Sequence, residues 1–142
     1  MGSRGSSSGR GRGNTLKGYE QSTNTAIQED IIRERASKPN GISYRQSEKM
    51  AKVLDKNTEN GDRLALMKVV RDPNSKAGAK VSDEASYQIE RVEKGTWKVI
   101  DGAGREVKTT TTDGALRFID GADYSMQQDK KYNVLQYYKK KK

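Results

Sequence analysis

The residues best suited to chemistry are Tyr137 and Tyr138, followed at once by Lys139, Lys140, Lys141 and Lys142. Two aromatic faces beside four cations suit stacking on unpaired bases together with contact to a phosphate backbone. The same stretch equally suits a final strand that packs its tyrosines and ends in a solvated lysine run. Near the other end, Arg10-Gly11-Arg12-Gly13, preceded by Arg4, has the Arg-Gly form that binds RNA or single strands by phosphate contact and guanidinium stacking. A solubilising or linker tail accounts for it equally well. With Lys130 and Lys131, these residues form the expected nucleic-acid-binding set.

The missing residue types narrow the chemistry further. The chain has no His and no Cys. It therefore lacks a Ser-His-Asp or Cys-His nucleophile pair, a nitrogen–sulfur zinc site, and the side chain best suited to neutral-pH proton transfer. The Gly-rich start carries no Walker lysine pattern and follows no strand, so it is not a phosphate loop. Gln28-Glu29-Asp30 and Ser82-Asp83-Glu84 offer oxygens for magnesium, but they read better as solvated charges at helix starts. A nuclease built from Arg, Lys, Glu and Tyr is the remaining enzymatic reading, and no spacing points to it. The expectation is a binding protein, not an enzyme, with no catalytic residue, no metal and no cofactor.

The formal charge of +9 is a property of the ends. Residues 1–14 contribute +3 and residues 130–142 contribute +6, so residues 15–129 are neutral. This distribution argues against a broad cationic groove on the folded part, although a neutral total can hide a local patch. Hydrophobic residues make up 31% of the chain, with a single Phe and a single Trp. Roughly 45–50% is usual, so a modest core with mobile segments around it is expected. The absence of Cys suits a reducing cytoplasm. No apolar run follows the basic start, and none approaches the roughly 20 residues a bilayer span needs. A soluble, cytoplasmic protein with no membrane partner is the resulting expectation; oligomeric state is not legible.

The elements that must position these residues read as α+β. Residues 1–14 are expected to be a disordered Gly/Ser/Arg head. A helical region over residues 15–82 follows. Its first element starts near Thr25, where Thr25 and Gln28 resemble a capping box, and Ile27, Ile31, Ile32 and Ala36 form a stripe. Pro39-Asn40-Gly41 stops it. Ser43 and Gln46 make a second capping box before Met50, Val53 and Leu54. The apolar run at residues 64–70 suits a buried helix or a central strand, and its Leu, Ala and Met content leans towards helix. Residues 72–82 read as a polar loop. Residues 83–129 form a small antiparallel module: Tyr87 and Ile89, Trp97 and Val99, then Val107, Thr109 and Thr111 alternate in three strands. A packed helix capped by Thr112 carries Ala115, Leu116 and Ile119, with Trp97 in the core. Residues 130–142 form a Tyr/Lys-rich basic tail, in which Tyr132 to Tyr138 suits an edge strand or the end of a helix from Ser125.

Two stretches carry a resemblance. MGSRGSSSG resembles the openings of many small proteins encoded by bacteriophages and related mobile elements. GTWKVIDGAGREVKTTTTDGALRFID resembles a ββα module of phage-encoded proteins and small DNA-associated bacterial domains, through Gly95, Trp97, Val99, Asp101, Gly104, Val107, Thr112, Ala115, Phe118 and Ile119. In integrase-like relatives the sheet of such a module faces DNA. The resemblance implies that this face carries Lys98, Arg105 and Lys108, with Glu90, Glu93 and Glu106 as a departure from the pattern. The implied function is a phage-type accessory protein in the host bacterial cytoplasm that binds single strands or RNA with low specificity through flexible basic ends. The alternative is a phage-encoded inhibitor or adaptor that docks on a host protein or nucleoprotein, such as a defence nuclease.

Overall fold

A computed structural model of the chain describes residues 16–38 and 40–141. Arg4, Arg10, Arg12, Lys142 and the helix-stopping Pro39 lie outside the described residues. The fold is α+β, and its sheet is larger than the small three-strand meander expected. Six strands, β1 (Tyr19–Ser22), β2 (Arg63–Arg71), β3 (Ala79–Glu93), β4 (Thr96–Asp101), β5 (Glu106–Thr111) and β6 (Asn133–Lys140), form one sheet in the order β1-β6-β2-β3-β4-β5. Every neighbouring pair is antiparallel. Three helical segments, α1 (residues 25–36), α2 (Tyr44–Asn57) and α3 (Thr112–Gln128), contribute to the main core.

The run at residues 64–70 is strand, against the lean towards helix. Leu64 and Leu66 face the helices while Ala65 and Met67 face the other side, and all four are buried. A central strand covered on both faces reads as a continuous apolar run, so burial overrides the local preference of Leu, Ala and Met. The stretch expected as a loop is only partly so, because β3 starts at Ala79. Strand β1 precedes Thr25, so the ordered chain starts earlier than expected. The cap of α1 is Asn24, whose Oδ1 accepts from the Ile27 N–H at 3.2 Å, not Thr25. Within α1, residues Gln28–Arg33 are π-helical, and the buried stripe continues from Ile27 and Ile31 to Arg35 while Ala36 is exposed. Helix α3 is capped by Thr111, which accepts from the Gly114 N–H at 3.2 Å. Thr112 is buried and donates to Asp55 at 2.9 Å instead. The capping box of α2 is present in both directions: Ser43 Oγ accepts from the Gln46 N–H and Gln46 Oε1 from the Ser43 N–H.

The main core joins Ile27 and Ile31 of α1, Met50 and Leu54 of α2, and Leu116 and Ile119 of α3 to the sheet residues Leu64, Leu66, Ile89, Trp97, Val99 and Leu135. Carboxylates fasten it. Asp55, at the end of α2, accepts from the Gly95 N–H, Trp97 Nε1 and Thr112 Oγ1, tying the β3–β4 turn and the start of α3 to one helix. Arg35 donates to Asp120 at 3.2 Å and Asp123 at 3.0 Å in a buried cluster that clasps α1 to α3. Gly41 passes so close to that cluster that a Cβ would meet Asp120 Oδ2 at 3.0 Å, and its φ of +95° also disfavours a side chain.

Strand β6 is not an edge. It lies between β1 and β2, and Tyr137 is buried with its hydroxyl donating to Asp62 at 2.7 Å. Burial, reinforced by that carboxylate, holds the Tyr137 hydroxyl well above its ordinary ionisation range. Because the folded-state value exceeds the unfolded one, this contribution is present in full below pH about 10 and is lost as pH rises beyond it. Urea unfolding across the alkaline range should show stability falling with pH. Tyr137→Phe should flatten that fall while costing about 1.5–3 kcal/mol at neutral pH, the loss of one hydrogen bond to a charged group.

Candidate nucleic-acid interface

The last turn of α3 and the entry to β6 place a cluster of cations beside an aromatic ring. Lys131 N–H donates to Met126 carbonyl at 2.9 Å and Lys130 N–H to Gln127 carbonyl at 3.0 Å. These two bonds close the helix as a Schellman motif, which requires its next residue in the left-handed region. Glycine is usual there, yet the residue is Lys130, with φ +60°, the only non-glycine residue at positive φ among those described. The following Lys131 and Tyr132 are exposed, Tyr132 to 61%, before the chain enters β6.

These residues form one wall of a cleft of about 610 Å³. Its floor is the root of the β2–β3 hairpin, with Lys68, Val69, Val70, Ser86 and Tyr87; its far wall is the β4–β5 turn from Asp101 to Arg105. The walls are fixed to the floor. Val69 N–H donates to Tyr132 carbonyl at 2.9 Å, Ser86 Oγ meets Asn133 Oδ1 at 2.7 Å, and Tyr87 packs edge-on against Phe118. Across the cleft, Asp101 accepts the N–H groups of Ala103 and Arg105 and organises the turn. The Arg105 N–H above all holds the Asp101 carboxyl below its ordinary range. Arg105 donates Nε to Asp101 at 3.2 Å but remains 81% exposed.

Four cations, Lys68, Arg105, Lys130 and Lys131, thus face a cleft whose lining holds one carboxylate, Asp101. Lys130 and Lys131 make no ion pair among the described residues, and Lys68 is paired only with the exposed Glu84, at 3.1 Å. Exposed pairs of that kind contribute little. The arrangement supplies backbone neutralisation at several points and one solvent-facing ring for stacking.

The expected binding residues do not form one surface. Lys130 and Lys131 line the cleft, whereas Lys139, Lys140 and Lys141 stand at the far end of β6, roughly 25 Å away at the rise of a strand. There Lys139 pairs with Glu59 at 3.3 Å, Lys140 lies against Gly61, and the Lys141 N–H donates to Gly18 carbonyl. Tyr137 and Tyr138 are not a twin platform, because adjacent strand residues point to opposite faces. Tyr137 is in the core, and Tyr138 is half-buried on the other face with its hydroxyl donating to Gln136. The basic face implied by the resemblance also divides. Lys98 is held between Glu90 and Glu106, Lys108 lies over the Phe118 ring on the helix side, and Arg105 alone reaches the cleft.

Among the described residues, no group of His, Cys, Asp and Glu side chains could hold a metal ion, and no helix is long and apolar enough to cross a membrane. No family model matches this chain, and neither does any curated protein or any solved structure.

Lys68 and Tyr132 are the cleft residues that sequence reasoning missed as a site. Only the pairing of β2 with β6 brings them together, although Tyr132 beside Lys130 and Lys131 was a local signal. A left-handed Lys130 strains the helix end that glycine would relax. Lys130→Gly should therefore raise the unfolding free energy by about 1 kcal/mol, read from urea denaturation.

Proposed function

We propose that this chain is a binding protein, not an enzyme, that holds single-stranded nucleic acid with little sequence preference in the cleft between the end of α3 and the β4–β5 turn. Lys68, Arg105, Lys130 and Lys131 contact phosphates there, and an unpaired base stacks on Tyr132. The observation that carries this reading is the exposed Tyr132 next to two lysines without ion-pair partners among the described residues. A further support is the strained Lys130: a cation occupies a position where glycine would be more stable, as happens where a side chain is needed for function. Of the other polar side chains in the cleft, Ser86 and Asn133 bond each other and Asp101 is engaged in its own turn, which favours stacking and charge over sequence. Basic residues outside the described part add affinity without setting the site. The accessory role of phage-type proteins that act on nucleic acid is the setting this reading fits.

Fluorescence anisotropy with labelled single-stranded DNA and RNA tests it. The log of affinity should fall with log salt, and four phosphate contacts give a slope near −3 from this cleft alone, at about −0.7 each. Lys130→Glu with Lys131→Glu should flatten that slope by about 1.4 or more. Tyr132→Ala should lose about 1–3 kcal/mol with the slope unchanged. Lys130→Gly should weaken binding even as it stabilises the fold. Unchanged affinity in all three variants places binding outside the cleft, and no binding by the intact chain moves the reading to a protein partner.

A further inference from the structure

Beyond the cleft, the β2–β3 hairpin leaves the rest of the sheet. Pairing of β2 with β6 ends at Lys68, opposite Asn133, and pairing of β3 with β4 ends at Tyr87, opposite Asp101. Residues 69–81 therefore project as a two-stranded ribbon, with Val69 opposite Val81, Val70 opposite Lys80 and Arg71 opposite Ala79. The tip is a built turn. Asp72 N–H donates to Gly78 carbonyl at 2.9 Å, and Asp72 Oδ1 accepts from the Asn74 N–H at 3.0 Å. The ribbon carries Arg71, Lys76 and Lys80 against one carboxylate, Asp72, which is used inside its own turn. None of the three cations forms an ion pair among the described residues. Val70 lines the cleft and Lys80 lies opposite it on the same ribbon face, so the cationic surface continues from the cleft on to the ribbon.

Two shapes thus meet on one surface. The cleft offers a stacking ring, and a base inside a duplex has no free face to place on it. The ribbon is two strands wide, the width that a duplex major groove of about 12 Å admits and that a lone strand cannot fill. We infer that the preferred ligand is a nucleic acid in which a duplex runs into an unpaired strand: the ribbon lies along the duplex backbone and groove while the first unpaired base stacks on Tyr132. Charge complementarity selects nucleic acid over an acidic peptide here, because the cations are spread along an extended track in place of one pocket. This inference rests on the cleft's binding single strands and names the ligand of that same site.

The test compares three labelled probes on the full chain at matched salt: a single strand, a blunt duplex of the same length, and a duplex with a single-stranded tail. The tailed duplex should bind roughly tenfold more tightly than either other probe, with a steeper salt slope than the single strand. Lys76→Glu with Lys80→Glu, both exposed and outside the core, should lower affinity for the tailed duplex about tenfold while leaving single-strand binding unchanged. Tyr132→Ala should weaken the single strand and the tailed duplex but not the blunt duplex. A tailed duplex that binds no better than the single strand overturns the junction reading and leaves the cleft reading standing. A ribbon variant that weakens all three probes equally also overturns it. Failure of every probe to bind overturns both.

Discussion

The hydrogen bond from Tyr137 to Asp62 fixes the place of the last strand, and the rest of the molecule is arranged around that strand. Asp62 is almost fully buried and accepts from the Glu59 N–H, the Tyr137 hydroxyl and the Lys140 N–H. A buried carboxylate with fewer donors would be costly, so the α2–β2 loop and the end of β6 must meet. Their meeting holds β6 between β1 and β2 in a register that sets Leu135 opposite Leu66 and Asn133 opposite Lys68. The cleft follows from this register. With β6 locked at its far end, its entry delivers Lys130, Lys131 and Tyr132 beside the root of the β2–β3 ribbon.

Buried polar groups organise a core that its composition alone would leave weak. Asp55 ties three elements through Gly95, Trp97 and Thr112, and Arg91 donates to the carbonyls of Asp55 and Thr58 at the end of the same helix. Arg35 reaches both Asp120 and Asp123, leaving its own Nε and Asp123 Oδ1 without a partner. Removing one partner of such a cluster is strongly destabilising, because it leaves an uncompensated buried charge. These clusters sit at the margins of one core that spans all three helices and the sheet with a hydrophobic content of 31%.

Local grammar was readable where one residue's chemistry decides one bond. Ser43 and Gln46 announced their reciprocal cap, Lys94-Gly95 its turn, and the alternation around Trp97 its buried face. What was hidden depends on partners distant in sequence. Residues 64–70 are a strand because β3 and β6 flank them, and nothing within the run encodes those neighbours. Arg35 is buried because Asp120 and Asp123 wait for it more than eighty residues on. Tyr137 and Tyr138 read equally as a stacking pair or as packed residues of a final strand, and strand alternation in β6 sends them to opposite faces. The candidate site was half legible: Lys130 and Lys131 were named, but their grouping with Lys68, Arg105 and Tyr132 is a product of topology.

A charge count leaves the position of each charge open, and the fold supplies it. Residues 15–129 are neutral by number, which argues against a broad cationic groove on the folded part but leaves room for a local patch. Number is not position. Asp62, Asp120 and Asp123 are buried and Asp55 is largely engaged, so their charges are spent on backbone N–H groups, Tyr137, Trp97, Thr112 and Arg35. Glu90 is held between Arg63 and Lys98 on the sheet. Other acids of the middle, among them Glu20, Glu48, Glu93 and Asp129, stay exposed, but the cleft lining holds Asp101 alone beside Lys68 and Arg105 of the middle and Lys130 and Lys131 of the basic end. A chain segment with equal numbers of both signs can therefore contribute to a local cationic patch, because the count does not fix where each charge stands.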